Sequence, residues 1–129
     1  MIAITPKGTT VYVANYGSGT VTPITGNKPG TPIAVGTHPM AIVITSTGTT
    51  AYVSNCGSGS VTSIPVGGGK TSVIKVGNGP DAFALAPNGK TVYVTNYNSA
   101  SVSPITVGST VAGKPITVGI NPGAIVIAP

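Results

Sequence analysis

An all-β propeller architecture follows from three features of this 129-residue sequence. A block returns three times at a spacing of about forty residues, the period of a repeat built from one supersecondary unit. Every apolar run is short and bounded by Gly, Pro or Asn, and none has helical periodicity. Each repeat holds four such runs, which is the strand content of one propeller blade. The expected fold is therefore three four-stranded antiparallel blades plus the first strand of a fourth, as part of a closed propeller. The repeats span 1–40, 41–81 and 82–123, with the extra strand over 124–129.

The first repeat opens with the apolar run Ile2-Ala3-Ile4-Thr5, followed by Pro6-Lys7-Gly8. Proline presets φ at the second position of a turn and glycine tolerates the left-handed position. Val11-Tyr12-Val13 is a β-branched and aromatic strand. Asn15 to Gly19 is a loop, Thr20 to Ile24 a third strand, and Pro32 to Val35 a fourth. Gly36-Thr37-His38-Pro39-Met40 returns the chain to the next repeat.

The second repeat follows the same order, with Ala41 to Ile44 first, Tyr52 in the second strand, Ser72 to Val76 fourth, and Gly77 to Asp81 as the return loop. In the third, Ala82 to Leu85, Tyr93, Ile105 and Lys114 to Val118 hold the register, and Asn88-Gly89 is the strongest short hairpin signal in the chain. Ala124 to Ala128 then reads as a further first strand. These first strands are apolar without alternation, which suits an innermost strand covered on both faces.

Tyr12-Val13-Ala14-Asn15, Tyr52-Val53-Ser54-Asn55 and Tyr93-Val94-Thr95-Asn96, each preceded by a Pro-x-Gly or similar turn and followed by a Ser/Gly-rich loop, resemble the YVTN family of propeller repeats. The resemblance covers nearly the whole chain. It implies the propeller fold and a surface-layer-like, extracellular or cell-surface setting. Two departures stand out: Cys56 replaces the aromatic residue after the asparagine, and Asn98-Ser99-Ala100 replaces Gly-Ser-Gly.

Propellers typically close with about 4–8 blades. Three blades leave an apolar face at each end, so the expected partners are further copies of the chain or the remaining blades of a longer one. The repeated tyrosines are expected to pack between blades with their hydroxyls bonded at an edge. Asn15, Asn55 and Asn96 are expected to bond the following loop as Asx turns.

Composition bounds the chemistry. Charged residues make up 5% of the chain, and the net charge of +5 comes from six lysines with no arginine. The lysines are spread over all repeats, mostly at turns, so a nucleic-acid reader with clustered, bidentate Arg contacts is not expected. No apolar run approaches the length of a membrane span. Cys56 is alone, so no internal disulfide forms. With one Asp, no Glu, one His and one Cys, the chain has no paired carboxylates and no Cys/His zinc set of its own. No Gly-x-Ser-x-Gly elbow occurs.

From these counts the chain is expected to be non-enzymatic: a structural or interaction module at a cell surface, without cofactor, metal or catalytic residues. The alternative is a ligand- or partner-binding scaffold within a larger secreted protein or enzyme. The place for a binding rim is the end where the loops after the second and fourth strands meet. There the candidates are Tyr16, Ser18, His38, Ser58, Asp81, Tyr97 and Asn121, with Cys56 and Ser99 beside them.

Overall fold

A computed structural model describes residues 1–128. Blade 1 contains β1 (Ile2–Ile4), β2 (Thr10–Asn15), β3 (Thr20–Thr25), β4 (Lys28–Pro29) and β5 (Ile33–Ala34). Blade 2 contains β6 (Pro39–Ile44), β7 (Thr50–Asn55), β8 (Ser60–Pro65) and β9 (Ser72–Lys75). Blade 3 contains β10 (Pro80–Leu85), β11 (Thr91–Asn96), β12 (Ser101–Thr106) and β13 (Ile116–Thr117). Each blade is antiparallel, and blades 2 and 3 are meanders in sequence order. The three sheets confirm the propeller blades read from the repeats. The first strands of neighbouring blades touch one another and so form the inner ring.

Local chemistry fixes the hairpins. Gly8, Gly48 and Gly89 adopt positive φ in the turns after the first strands, a conformation glycine takes without steric penalty. In blades 1 and 2 the Thr5 and Thr45 hydroxyls accept the backbone N–H groups of the next strand's start. Blade 3 has Ala86 at that place, and the Asn88 side chain accepts the Lys90 N–H at 2.9 Å instead.

The inner strands of blades 2 and 3 carry a bulge, between Pro39 and Ile42 and between Pro80 and Phe83. A bulge leaves an amide without a ladder partner. The Ser54 hydroxyl takes up Ala41 N–H at 2.9 Å, and the Thr95 hydroxyl takes up Ala82 N–H at 3.0 Å. The variable residue of each Tyr-Val-x-Asn motif thus closes a bulge wherever it has a hydroxyl.

The core lies between blades rather than within one. Tyr12, Ala14 and Val21 of blade 1 pack on Ile42, Ala51, Val53 and Ile64 of blade 2. Tyr52, Val61 and Ile74 of blade 2 pack on Val92, Val94 and Ile105 of blade 3. As expected, the Tyr52 hydroxyl is bonded at an edge, accepting Gly108 N–H at 3.1 Å.

Three details differ from the sequence reading. The asparagines make no Asx turns. Instead each Nδ2 donates across its hairpin to two hydroxyls: Asn15 to Thr20 and Thr22, Asn55 to Ser60 and Thr62, Asn96 to Ser101 and Ser103. Each Nδ2 donor meets a pair of hydroxyl oxygens on the adjacent strand. The outer edge of blade 1 is split, because Lys28–Pro29 pairs one end of β3 and Ile33–Ala34 the other. Residues 124–128, read as the start of a further blade, are hydrogen-bonded into none of the three sheets, since a strand needs a partner ladder. Pro129, the last residue of that stretch, lies outside the described residues.

Candidate functional site

Antiparallel order puts the second-to-third-strand hairpins and the blade-to-blade return loops at the same end of the molecule. The return loop of one blade is laid on the hairpin of the next. His38 and Thr37 carbonyls accept Cys56 and Gly57 N–H, both at 3.0 Å, and the Ser58 hydroxyl accepts Thr37 N–H at 3.2 Å. One blade on, Gly79 and Asn78 carbonyls accept Tyr97 and Asn98 N–H at 2.8 and 3.1 Å, and the Ser99 hydroxyl accepts Asn78 N–H at 2.7 Å.

Each return loop turns just before a proline. His38, Gly79 and Asn121 precede Pro39, Pro80 and Pro122 with φ of 52°, 65° and 55°. Among non-glycine residues the left-handed region favours Asn and His, and these are the two that occur here. The turn holds His38 outward, and its ring stacks on Tyr16 with centroids 4.5 Å apart and planes 11° from parallel. Both residues are exposed. They border a shallow depression of about 140 Å³ with Gly17, Ser18, Gly19 and Thr37.

Tyr16, Ser18 and His38 are therefore brought together. Ser18 shares a 2.8 Å hydrogen bond with the Thr20 hydroxyl. Ser58 is engaged by Thr37 and Ser60, so it is part of the seam between blades. Tyr97, exposed in a single 3-10 turn (Tyr97–Ser99), lies with Asn121, whose Nδ2 donates to the Tyr97 carbonyl at 3.5 Å. Asp81 is half-buried at the start of β10, and its carboxylate faces Gly123 on the last return loop. These three form a second group on the same end. Thr37 and Asn78 escaped the sequence reading, although each directly follows a repeated glycine, Gly36 and Gly77.

Charge is divided between the ends. All six lysines are exposed. Lys7, Lys28, Lys70, Lys90 and Lys114 lie on the connections of the opposite end, and Lys75 alone approaches the rim, on the outermost strand of blade 2. Among the described residues no group of three His, Cys, Asp or Glu side chains could hold a metal ion.

No protein-family model and no curated protein matches the chain. Solved structures do. A hydrazine synthase structure from Kuenenia stuttgartiensis is 27% identical with a TM-score of 0.85, over 92% of this chain and 35% of that one. A periplasmic gluconolactonase from Pseudomonas aeruginosa is 20% identical with a TM-score of 0.75, over 96% of this chain and 40% of that one. The virginiamycin B lyase of Staphylococcus aureus is 20% identical with a TM-score of 0.73, over 89% of this chain and 39% of that one. The chain spans about two-fifths of the length of the structures it resembles.

These likenesses establish a propeller repeat protein. They also correct the expectation of a non-enzymatic structural module, because this blade arrangement occurs in proteins named as a lactonase and a lyase. The expectation rested on counting acids and bases in one chain. In a propeller the loops of many blades converge on one channel mouth, so each blade needs to bring only one or two reactive groups.

Proposed function

We propose that the chain supplies three blades to a propeller enzyme that acts on a small, uncharged, hydroxylated substrate of the sugar-lactone class. The rim around Tyr16 and His38 is the part of the binding site this chain provides. The single observation that carries the reading is the exposed Tyr16–His38 stack beside the Ser18 and Thr37 hydroxyls on one depression. Flat aromatic surface with a few convergent polar groups is the usual make-up of a small-molecule site. An imidazole at that place can take a proton from water attacking a lactone carbonyl. Asp81, the sole carboxylate, would serve the neighbouring part of the rim.

A neutral substrate suits the rim better than a phosphorylated one, because five of the six lysines lie at the far end. The gluconolactonase likeness supports the substrate class through fold alone. Membership of the YVTN family belongs to the same proposal, on the strength of the three Tyr-Val-x-Asn copies, as do the blade boundaries 1–40, 41–81 and 82–123. The charge-poor, Thr/Ser/Gly-rich surface supports a place outside the cytoplasm.

The test is a titration of the 129-residue chain with D-glucono-1,5-lactam, a neutral lactone analogue that does not hydrolyse readily, followed by NMR of the aromatic and imidazole rings. Shifts confined to His38, Tyr16 and their neighbours, abolished by His38→Ala, are expected. Unmoved rings, or equal shifts at the lysine-bearing end, would overturn the assignment.

A further inference from the structure

The two surfaces that meet at each seam also stand open at the outer faces of blades 1 and 3. On blade 1, Ile2, Ile4, Val11, Val13 and Ile24 occupy the places of Ile42, Ile44, Ala51, Val53 and Ile64, most of which are buried against blade 1. Ile2 and Ile4 are 62% and 58% exposed. On blade 3, Tyr93, Ile116 and Val118 occupy the places of Tyr12, Ile33 and Val35 in blade 1 and of Tyr52, Ile74 and Val76 in blade 2.

Both seams bring a tyrosine to the same step of the next blade. The Tyr52 hydroxyl accepts Gly108 N–H at 3.1 Å, and Tyr12 lines one cavity with Gly67 at the equivalent place. Each glycine has a similar positive φ, 96° at Gly67 and 90° at Gly108. Each follows a valine, Val66 or Val107, that packs into the seam and whose N–H bonds the preceding turn, at Thr49 or Lys90. Blade 1 has no such step. Its third strand turns directly through Gly26 and Asn27, with φ of 57° and 60°, into Lys28–Pro29, which pairs back on Ile24 and Thr25.

We infer that Tyr93 on the open face of blade 3 reads for a blade that carries the Val-Gly step, and that this face does not take blade 1 of a second copy. The face continues the surface already used twice within the chain, so its occupant is a further blade built like blades 2 and 3 at this connection. Head-to-tail closure of identical copies would bury the Tyr93 hydroxyl against a turn with no amide in place for it. This inference is independent of the substrate proposed for the rim.

Sedimentation equilibrium of the 129-residue chain and three variants tests it. The variants are Tyr93→Phe, a graft exchanging Gly26-Asn27 for the sequence of residues 66–69, and both together. The graft should self-associate at least about fivefold more tightly than the natural chain, the size of effect expected of one hydrogen bond in a buried seam. Tyr93→Phe should cancel that gain and leave the natural chain's association, weak or absent, unchanged. A graft that gains nothing, or a gain that survives Tyr93→Phe, would overturn the inference. Should the graft fail to fold, the single substitution still decides: weakened association of the natural chain by Tyr93→Phe would show the Tyr93 hydroxyl already bonded to a second copy.

Discussion

Asn15 and Asn55 occupy the same place in successive blades, donate to the same pair of hydroxyls, and yet live in different surroundings. Asn55 is fully buried and Asn15 only half-buried. The difference comes from the neighbouring blade. Gly36, on the return loop of blade 1, lies directly on Asn55, and Gly77 lies in the same way on Asn96. No return loop covers Asn15 among the described residues. A blade is thus assembled locally, through its hairpins and hydroxyl pairs, and completed by the loop of the blade before it. Among the described residues the buried Oδ1 atoms of Asn55 and Asn96 meet no donor, and the return-loop glycines pack closely on these side chains.

The largest effect should come from filling that contact. An added Cβ at Gly36 would lie 2.6 Å from Asn55 Cβ and also collide with the Ser58 hydroxyl, and one at Gly77 would lie 2.7 Å from Asn96 Cγ. Gly36→Ala and Gly77→Ala should each destabilise by about 1–3 kcal/mol, as overpacking does in a close-packed interior. Gly17, with open space around it, is the control, and Gly17→Ala should be nearly neutral in chemical denaturation.

Next in size, Asn55→Ala strips two buried hydroxyls of their donor and should cost about 1–3 kcal/mol, against about 0.5–1 kcal/mol for Asn15→Ala, whose hydroxyls water can reach. Equal losses in urea titrations would break the comparison.

The hairpin loops sharpen it at a smaller scale. Gly19 and Gly59 hold φ of 64° and 59°, and Ala100 is forced to 47° at the same place in blade 3. A side chain in the left-handed region costs about 1–2 kcal/mol, so Ala100→Gly should stabilise the chain by about 1 kcal/mol after the entropy of the unfolded glycine is counted. A lowered thermal midpoint would contradict this.

The smallest expected effect is alkaline. Burial raises the Tyr12 hydroxyl above its ordinary value, with the Gly67 amide pulling the other way. A raised value in the folded state means the associated stability is full below about pH 10 and is lost as pH rises further. Tyr12→Phe should flatten that alkaline decline while lowering stability slightly at neutral pH.

Much of this was legible in the chain. The period, the Pro-x-Gly and Asn-Gly turns and the tyrosine spacing reveal the blades because each depends on contacts within about forty residues. Gathering Tyr16, Ser18 and His38 at one end also follows from strand parity. The covering of Asn55 by Gly36, the bulge closed by Ser54, and the stack of His38 on Tyr16 were not legible, because they depend on how one blade leans on the next. The expectation of a non-enzymatic module fell short for a related reason. Residue counts describe one chain, whereas a propeller site is shared among blades.

The most direct test of completion by the neighbour is hydrogen exchange of the asparagine side-chain amides, read by NMR on the intact chain. The account predicts strong protection of the Asn55 and Asn96 Nδ2 protons and rapid exchange at Asn15, with Gly36→Ala stripping protection from Asn55 while sparing Asn96. Equal protection at all three asparagines, or loss at Asn55 and Asn96 together on the single substitution, would contradict it.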